Sequence, residues 1–537
     1  MASVKLRKSV FFPAFLVLSL FLVFYFINPE TTVSLLSSVH KTMLSAMAGP
    51  ITVLSVFCLL LSVVVFFHPL GRVKIGGPEA KPVLNRWQWF SISFCTTIAT
   101  GILYWACAEP VIHFNTFQSQ EIPATETFGK IIAIMWHHWS GVAYAIFLIP
   151  TILMALLIYN KGGLQSVAGF LTPLTGKGLA KKSASWIDAL CVFSMIAGIS
   201  SSLATGLIML SGSVENITGS QVTTGFQAGL CLFIVLCFVI SSISGLMRGI
   251  KWLSFLNLIL VIAVGLFFLF YSDFRQIYGL AGPAAQSWVT FLSDMTVSGL
   301  TQTSTPWMKD WTVFYWSAWI GWAPLSALFL ARLTVGYTVR DIIGINLILP
   351  TAVTMVWLII VGATVFRIDL QSGFALSELI KTSGPELILS ELLDRLPLGS
   401  MTKLLVLMSA TISFITTADS NISVMSDLSL RVSATARKNE WLPGLLKLIF
   451  GLGIGGISWV MVAWLGIDGL RVLNNMAAIP AFLIVLMMPV SLMAMMVRES
   501  RGKAWLPDSI KHQTPEVDVN ESPAQVKDSR FQKLSNQ

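Results

Sequence analysis

Apolar runs of roughly 17 or more residues recur along this 537-residue chain, parted by short polar loops. A run of that length is what a helix rising ~1.5 Å per residue needs to cross ~30 Å of hydrocarbon. Lipid offers no partner to a bare N–H or C=O, so each crossing must close its own backbone hydrogen bonds as a helix. Length and hydropathy place about twelve spans, near 9–27, 47–67, 87–108, 131–159, 185–209, 226–247, 252–272, 311–331, 342–366, 404–426, 442–466 and 473–497. Charged residues make up only 11% of the chain and hydrophobic residues 55%, too little charge to cover a soluble surface of this size. The expected fold class is an all-α integral membrane protein.

The charges orient it. With the N-terminus in the cytoplasm, one set of loops holds Arg72, Lys74, Lys81 and Arg86, then Lys161, Lys177, Lys181 and Lys182, then Arg248 and Lys251, then Arg332 and Arg340, then Arg431, Arg437 and Lys438. The alternate loops are poorer in Lys and Arg and carry acids, Glu109, Glu121 and Glu126 among them. This asymmetry puts both termini inside with an even number of spans, and it accounts for the net charge of +9 without a nucleic-acid partner. The basic start and apolar run of residues 1–27 read as an uncleaved first span. Two external loops are long, near 273–310 and 367–403, and the second reads as an amphipathic surface helix. The stretch beyond about 498 is polar, of mixed charge and expected to be disordered.

Within the apolar segments some residues are out of place. Trp316, Trp319 and Trp322 stand at i, i+3 and i+6 and so share one side of a helix at membrane depth, with Trp311 at the interface end. A wall of indole faces suits a quaternary ammonium, which carries charge but no hydrogen-bond donor. Cys95-Thr-Thr-Ile-Ala-Thr-Gly101 is a poor helix interior, and Thr416-Thr-Ala-Asp-Ser420 sets hydroxyls and a carboxylate inside a span. Interrupted spans of this kind point to a transporter site. The six cysteines read as small buried hydrophobes, and the six histidines show no metal-ligand spacing. His137 and His138, adjacent on a helix, point about 100° apart. No base, nucleophile and metal set converges at one depth, so an enzyme is not expected, and no cofactor is implied.

These segments resemble the betaine/choline/carnitine transporter family over about residues 10–500. The resemblance is carried by Trp311–Arg332, by Gly71-Arg-Val-Lys-Ile-Gly-Gly-Pro-Glu-Ala-Lys-Pro82, by Ala108-Glu-Pro110, by His138-Trp139 and by Thr416–Ser420, in the same order. It implies two N-terminal helices followed by two inverted five-helix repeats in a LeuT-like fold, a homotrimer, alternating access and a bacterial inner membrane. The regions become 1–86 with the two N-terminal helices, 87–272 for the first repeat, 273–310 for a periplasmic loop, 311–497 for the second repeat and 498–537 for a cytoplasmic tail.

The resemblance also assigns roles. A box of aromatics from the fourth and eighth spans would enclose the trimethylammonium group: Trp139, Tyr144 and Phe147 from one, Trp319 and Trp322 from the other, with Trp316 lining the path. The chain departs from the family pattern at Ala318, Tyr144 and Phe147. The third-span break would meet the substrate carboxylate near Thr97, Thr100 and Gly101. Thr416 and Thr417 match hydroxyls that bind sodium in sodium-coupled members, and oxygen ligands suit a hard cation. The substrate implied is glycine betaine, carnitine or a relative, driven by sodium. A sodium-independent exchanger and a ligand sensor without net transport stay open as alternatives.

Overall fold

In the computed structural model the described residues are 5–97, 99–117, 124–245, 249–431 and 441–500. Each expected apolar run falls on a helix. The first two spans are Lys8–Ile27 and Pro29–Phe67. The third is split into Arg86–Thr97 and Ala99–Phe117, and the fourth into Ala124–Trp139 and Gly141–Ala155. The fifth to seventh are Lys177–Thr218, Thr224–Ser244 and Ile250–Tyr271. The eighth is Phe314–Leu333, the ninth Leu349–Gln371, the tenth Gly399–Leu428, the eleventh Trp441–Val460 and the twelfth Gly466–Ser500. Among the described residues ten helical stretches are long and apolar enough to span, or eleven when the bent third pair is one span.

Burial separates two kinds of span. The fourth is buried along its whole apolar window and the eighth along 89% of it, whereas the seventh is buried along only 33%. A helix apolar all round and wrapped by other helices is central; one that leaves most of its apolar side open faces lipid. The eighth span packs on the second half of the fourth and on the twelfth, and the tenth packs on the third, sixth and seventh. With no water to expel between helices, such contacts rest on close van der Waals approach at small residues.

The two stretches expected as long loops carry helices. Residues 273–310 hold a 28-residue helix, Phe274–Thr301, laid along the fourth span. Its polar and apolar residues alternate with helical period, which lowers the mean hydropathy without lowering the helix-forming pattern. Between the ninth and tenth spans lie Ala375–Ser383 and Ile388–Asp394, and the latter buries Ile388, Leu389, Leu392 and Leu393 while Glu391 and Asp394 keep a partly exposed side, as an amphipathic helix does. The polar stretch at 501–537, read as a disordered tail, lies outside the described residues.

Candidate functional site

The two broken spans build the site. The third bends by 54° between its halves. The fourth is interrupted at Ser140, whose backbone (φ −116°, ψ −128°) leaves the helix directly after Trp139. A helix interrupted there cannot supply the usual donors one turn on to the carbonyls of His137 and His138. The eighth span supplies them instead. Trp316 Nε1–H donates to His137 O at 3.0 Å and Trp319 Nε1–H to His138 O at 2.9 Å. Indoles three residues apart on one helix face thus reach consecutive carbonyls at a break, and both rings are fixed by groups that would otherwise be orphaned in a buried site.

The rings form a cluster around Trp139. Its centroid lies 5.4 Å from Trp319 and 5.0 Å from Tyr315, and Phe147 lies 6.3 Å from Trp319. Tyr315 stacks at 6.3 Å on Trp319. Gly101 explains how the third span meets this cluster: a Cβ there would come within 2.7 Å of the far edge of the Trp139 indole. The missing side chain lets the edge of the ring come close to the backbone beside the break.

Of the residues expected at the cage, Trp139, Trp319 and Phe147 come together. Tyr144 does not join them; its hydroxyl pairs with Thr354 Oγ1 of the ninth span at 2.9 Å. Trp322 turns toward the fifth span, where a Cβ on Gly198 would lie 2.5 Å from its Nε1. Trp316 is fully buried and acts as a fastener of the fourth span, not as a wall exposed to a path. Trp311, expected at an interface, packs at 4.6 Å on His113. Tyr315 is the ring that Trp periodicity passes over, because attention to i, i+3 and i+6 skips the residue before Trp316.

Behind the cluster lies Glu109. Counted from sequence as an acid of an external loop, it is fully buried within the second half of the third span. One carboxylate oxygen, Oε2, accepts from Trp139 Nε1–H at 2.8 Å and from Tyr315 OH at 3.2 Å. The other, Oε1, accepts from His113 Nε2 at 3.1 Å and, more closely, from His138 Nδ1. His138 Nε2 reaches Thr312 Oγ1 at 3.1 Å in the π-helical turn Lys309–Val313 that leads into the eighth span. One ligand atom each of Glu109, His113 and His138 lies within 4.8 Å of the others. Linear spacing hides this trio, since two members come from the third span and one from the fourth. His137 points elsewhere, to Trp288 O at 2.8 Å.

At the third-span break the oxygens come from the tenth span. Thr417 Oγ1 lies 2.6 Å from Cys95 O and 2.9 Å from Ser413 O. Thr416 Oγ1 lies 2.9 Å from the same Ser413 carbonyl and 3.1 Å from Ile412 O. Three carbonyls, those of Cys95, Ser413 and Ile412, therefore share two hydroxyl protons; the bonds to Ile412 and Ser413 are back-bonding within the tenth span, and the bond to Cys95 O crosses to the third. Asn257 of the seventh span braces it, donating to Ser413 Oγ at 2.7 Å and accepting from Ser409 Oγ at 3.0 Å. Thr97, expected to offer its hydroxyl to a substrate, bonds back on its own helix at Ser93 O, 3.0 Å, and Phe94 O, 3.3 Å. Such back-bonding is the common fate of a Thr inside a helix. Thr96 Oγ1 is buried with no partner among the described residues. The Thr100 side chain lies outside the described residues. Arg332, expected as a bare positive-inside anchor, pairs with Asp427 at 2.8 Å where the eighth and tenth spans end.

Buried broken helices around an aromatic cluster are the arrangement that a solute transporter uses for its site. The chain belongs to the betaine/carnitine/choline transporter family, whose model matches residues 9–501. The glycine betaine transporter OpuD of Bacillus subtilis is 28% identical over 458 residues, covering 83% of this chain and 85% of its own length. A glycine betaine/proline/choline/ectoine transporter of Vibrio parahaemolyticus is 27% identical, with 81% and 77% covered. An ectoine/hydroxyectoine transporter of Virgibacillus pantothenticus is 26% identical, with 79% and 84% covered. Among solved structures, a sodium-coupled sialic acid symporter in a substrate-bound outward-open state aligns at a TM-score of 0.45 and 13% identity over 82% of this chain and 83% of its own. The protein is thus a multi-pass membrane transporter of a betaine-type family, not an enzyme.

Proposed function

We propose that this chain is a secondary active transporter that moves a small betaine-type zwitterion by alternating access, coupled to sodium. The trimethylammonium group, or a cation of like size, sits against Trp139, Trp319, Tyr315 and Phe147. Its carboxylate turns toward the third-span break near Thr97, Thr100 and Gly101, where freed backbone N–H groups are the donors. Sodium sits at Thr417, Thr416 and the Cys95 and Ser413 carbonyls. Tyr144 and Trp322 shape the pocket from outside the ring cluster.

The observation that carries this is the tethering of the rings. Trp139, Tyr315 and Trp319 each give their single polar hydrogen to a buried acceptor, so ring surface is what they have left to offer a ligand, one face of Tyr315 being stacked on His138 at 4.7 Å. Such faces attract a charge that has no hydrogen to donate, by about 0.5–2 kcal/mol per desolvated contact. Relatives named for glycine betaine, choline and ectoine lend support. The same proposal includes the two inverted five-helix repeats, a homotrimer, an inner-membrane location and cytoplasmic termini.

Uptake of labelled glycine betaine, carnitine and choline into proteoliposomes tests it, with and without an inward sodium gradient. Sodium-driven accumulation of one of them is expected. Flux only in preloaded vesicles, indifferent to sodium, would replace the coupling assignment by exchange. No flux and no binding of any would overturn the substrate class.

A further inference from the structure

We propose that Glu109 is the specificity-determining charge of the site: a fixed anion behind the aromatic cluster that makes it select a cationic head group over a neutral one of the same shape. This rests on the substrate assignment above and adds a residue to it.

The donor set fixes the charge. Trp139 Nε1 is a donor only and lies 2.8 Å from Oε2. Tyr315 donates to the same oxygen at 3.2 Å, and two imidazoles take the other. Four donors converging on two oxygens are what an ionised carboxylate accepts; a protonated acid would set its own hydrogen against one of them. Among the described residues no Lys or Arg pairs with Glu109, so the imidazoles are its only ionic partners. His113 donates through Nε2, and its Nδ1 is buried with no partner among the described residues. His138 meets Glu109 through Nδ1 and the Thr312 hydroxyl through Nε2. Glu109 is therefore an ionised carboxylate whose charge faces the rings that it holds.

That charge reaches the ligand by two routes. It acts through space across the width of the rings, in a buried site where screening is weak. It also acts through the rings, since an N–H or O–H held by an anion pushes electron density into the π system and deepens the face that a cation meets. Both routes favour a cation and neither favours a neutral group. An anion buried without a full counter-charge is costly when the site is empty, and a cationic ligand relieves that cost.

The test uses the purified full-length protein in nanodiscs and needs no transport. Displacement of labelled glycine betaine is measured with glycine betaine and with 3,3-dimethylbutanoate, its carbon isostere with an uncharged head. The wild type is expected to prefer the cation by about a hundredfold or more, and Glu109→Gln to cut that ratio by about tenfold. Glu109→Asp keeps the charge and is expected to hold the ratio within about threefold of wild type. A packing role ranks the variants the other way, because Gln keeps the shape and Asp does not. Gln matching or exceeding Asp overturns the inference while the cage assignment survives, and so does a wild type that binds both ligands alike. If Glu109→Gln fails to fold, Glu109→Asp decides alone: a retained ratio supports the charge and a lost ratio refutes it. A wild type that binds no trimethylammonium compound removes the substrate assignment itself, which is a different result from a lost preference.

Discussion

The third and fourth spans are both broken, and they are stitched by different chemistry. At Ser140 the orphaned carbonyls of His137 and His138 are taken by indole N–H groups of the eighth span. An indole donates and cannot accept, so that seam has one arrangement and is a fixed wall. At the third-span break the Cys95 carbonyl is taken by the Thr417 hydroxyl of the tenth span. A hydroxyl donates and accepts, and this one has two carbonyls in reach and one proton. Under the sodium coupling proposed above, that seam would turn its lone pair to a cation and back. One break would then hold a shape while the other switches, which gives a sodium-coupled carrier a rigid recognition surface and an ion site whose occupancy biases the conformational equilibrium.

Breaking the wall is expected to cost most. Trp319→Ala removes a π face and strands a buried carbonyl, together about 2–4 kcal/mol, so glycine betaine affinity should fall about a hundredfold or more. Isothermal titration in saturating sodium reads it, and a change under about threefold would mean Trp319 does not face the ligand. Thr417→Val deletes the switching hydroxyl at nearly constant volume. The sodium concentration for half-maximal binding should rise by about tenfold or more, while Thr417→Ser stays close to wild type. Equal sodium curves for Val and Ser would remove Thr417 from the ion site.

Gly101→Ala probes where the two seams meet. Its new Cβ falls 2.7 Å from the Trp139 ring, which must shift, and overpacking of this kind costs about 1–3 kcal/mol. Substrate affinity should drop about tenfold, with the sodium dependence little moved. Thr97→Val should do least, under about 1 kcal/mol in thermal stability or affinity, because its hydroxyl is spent on its own helix. A large loss of carboxylate-bearing substrates in Thr97→Val would show that the hydroxyl leaves Ser93 O to meet the ligand.

Much of this was legible in the sequence, for a physical reason. Lipid forces one kind of element, so each apolar run fell on a helix, although ten or eleven stretches among the described residues are long and apolar enough to span against about twelve expected, and the poor helix formers Cys95–Gly101 marked the third-span break. The juxtaposition of Trp139, Trp319 and Phe147 followed from family motifs together with helical phase. Phase says which residues share a side but not what that side meets, so it did not show that Tyr144 pairs with Thr354 or that Trp322 lies against Gly198. Glu109 was illegible for a related reason. An acid near the end of an apolar run reads as a loop residue unless four donors await it, and the farthest of those, Tyr315, lies 206 residues along the chain. The Ser140 break gave no signal either. Ser and Gly after a Trp are ordinary in a span, and the break shows only once the indoles that cap it are in place.

The most direct measurement is glycine betaine binding as a function of sodium for the wild type, Trp319→Phe and Thr417→Val. If the two seams hold different ligands, Thr417→Val shifts the sodium axis and recovers wild-type betaine affinity once sodium saturates. Trp319→Phe instead lowers betaine affinity at every sodium concentration and leaves the sodium midpoint little changed. Both variants moving the same axis by the same amount would contradict that division and make the wall and the switch a single site.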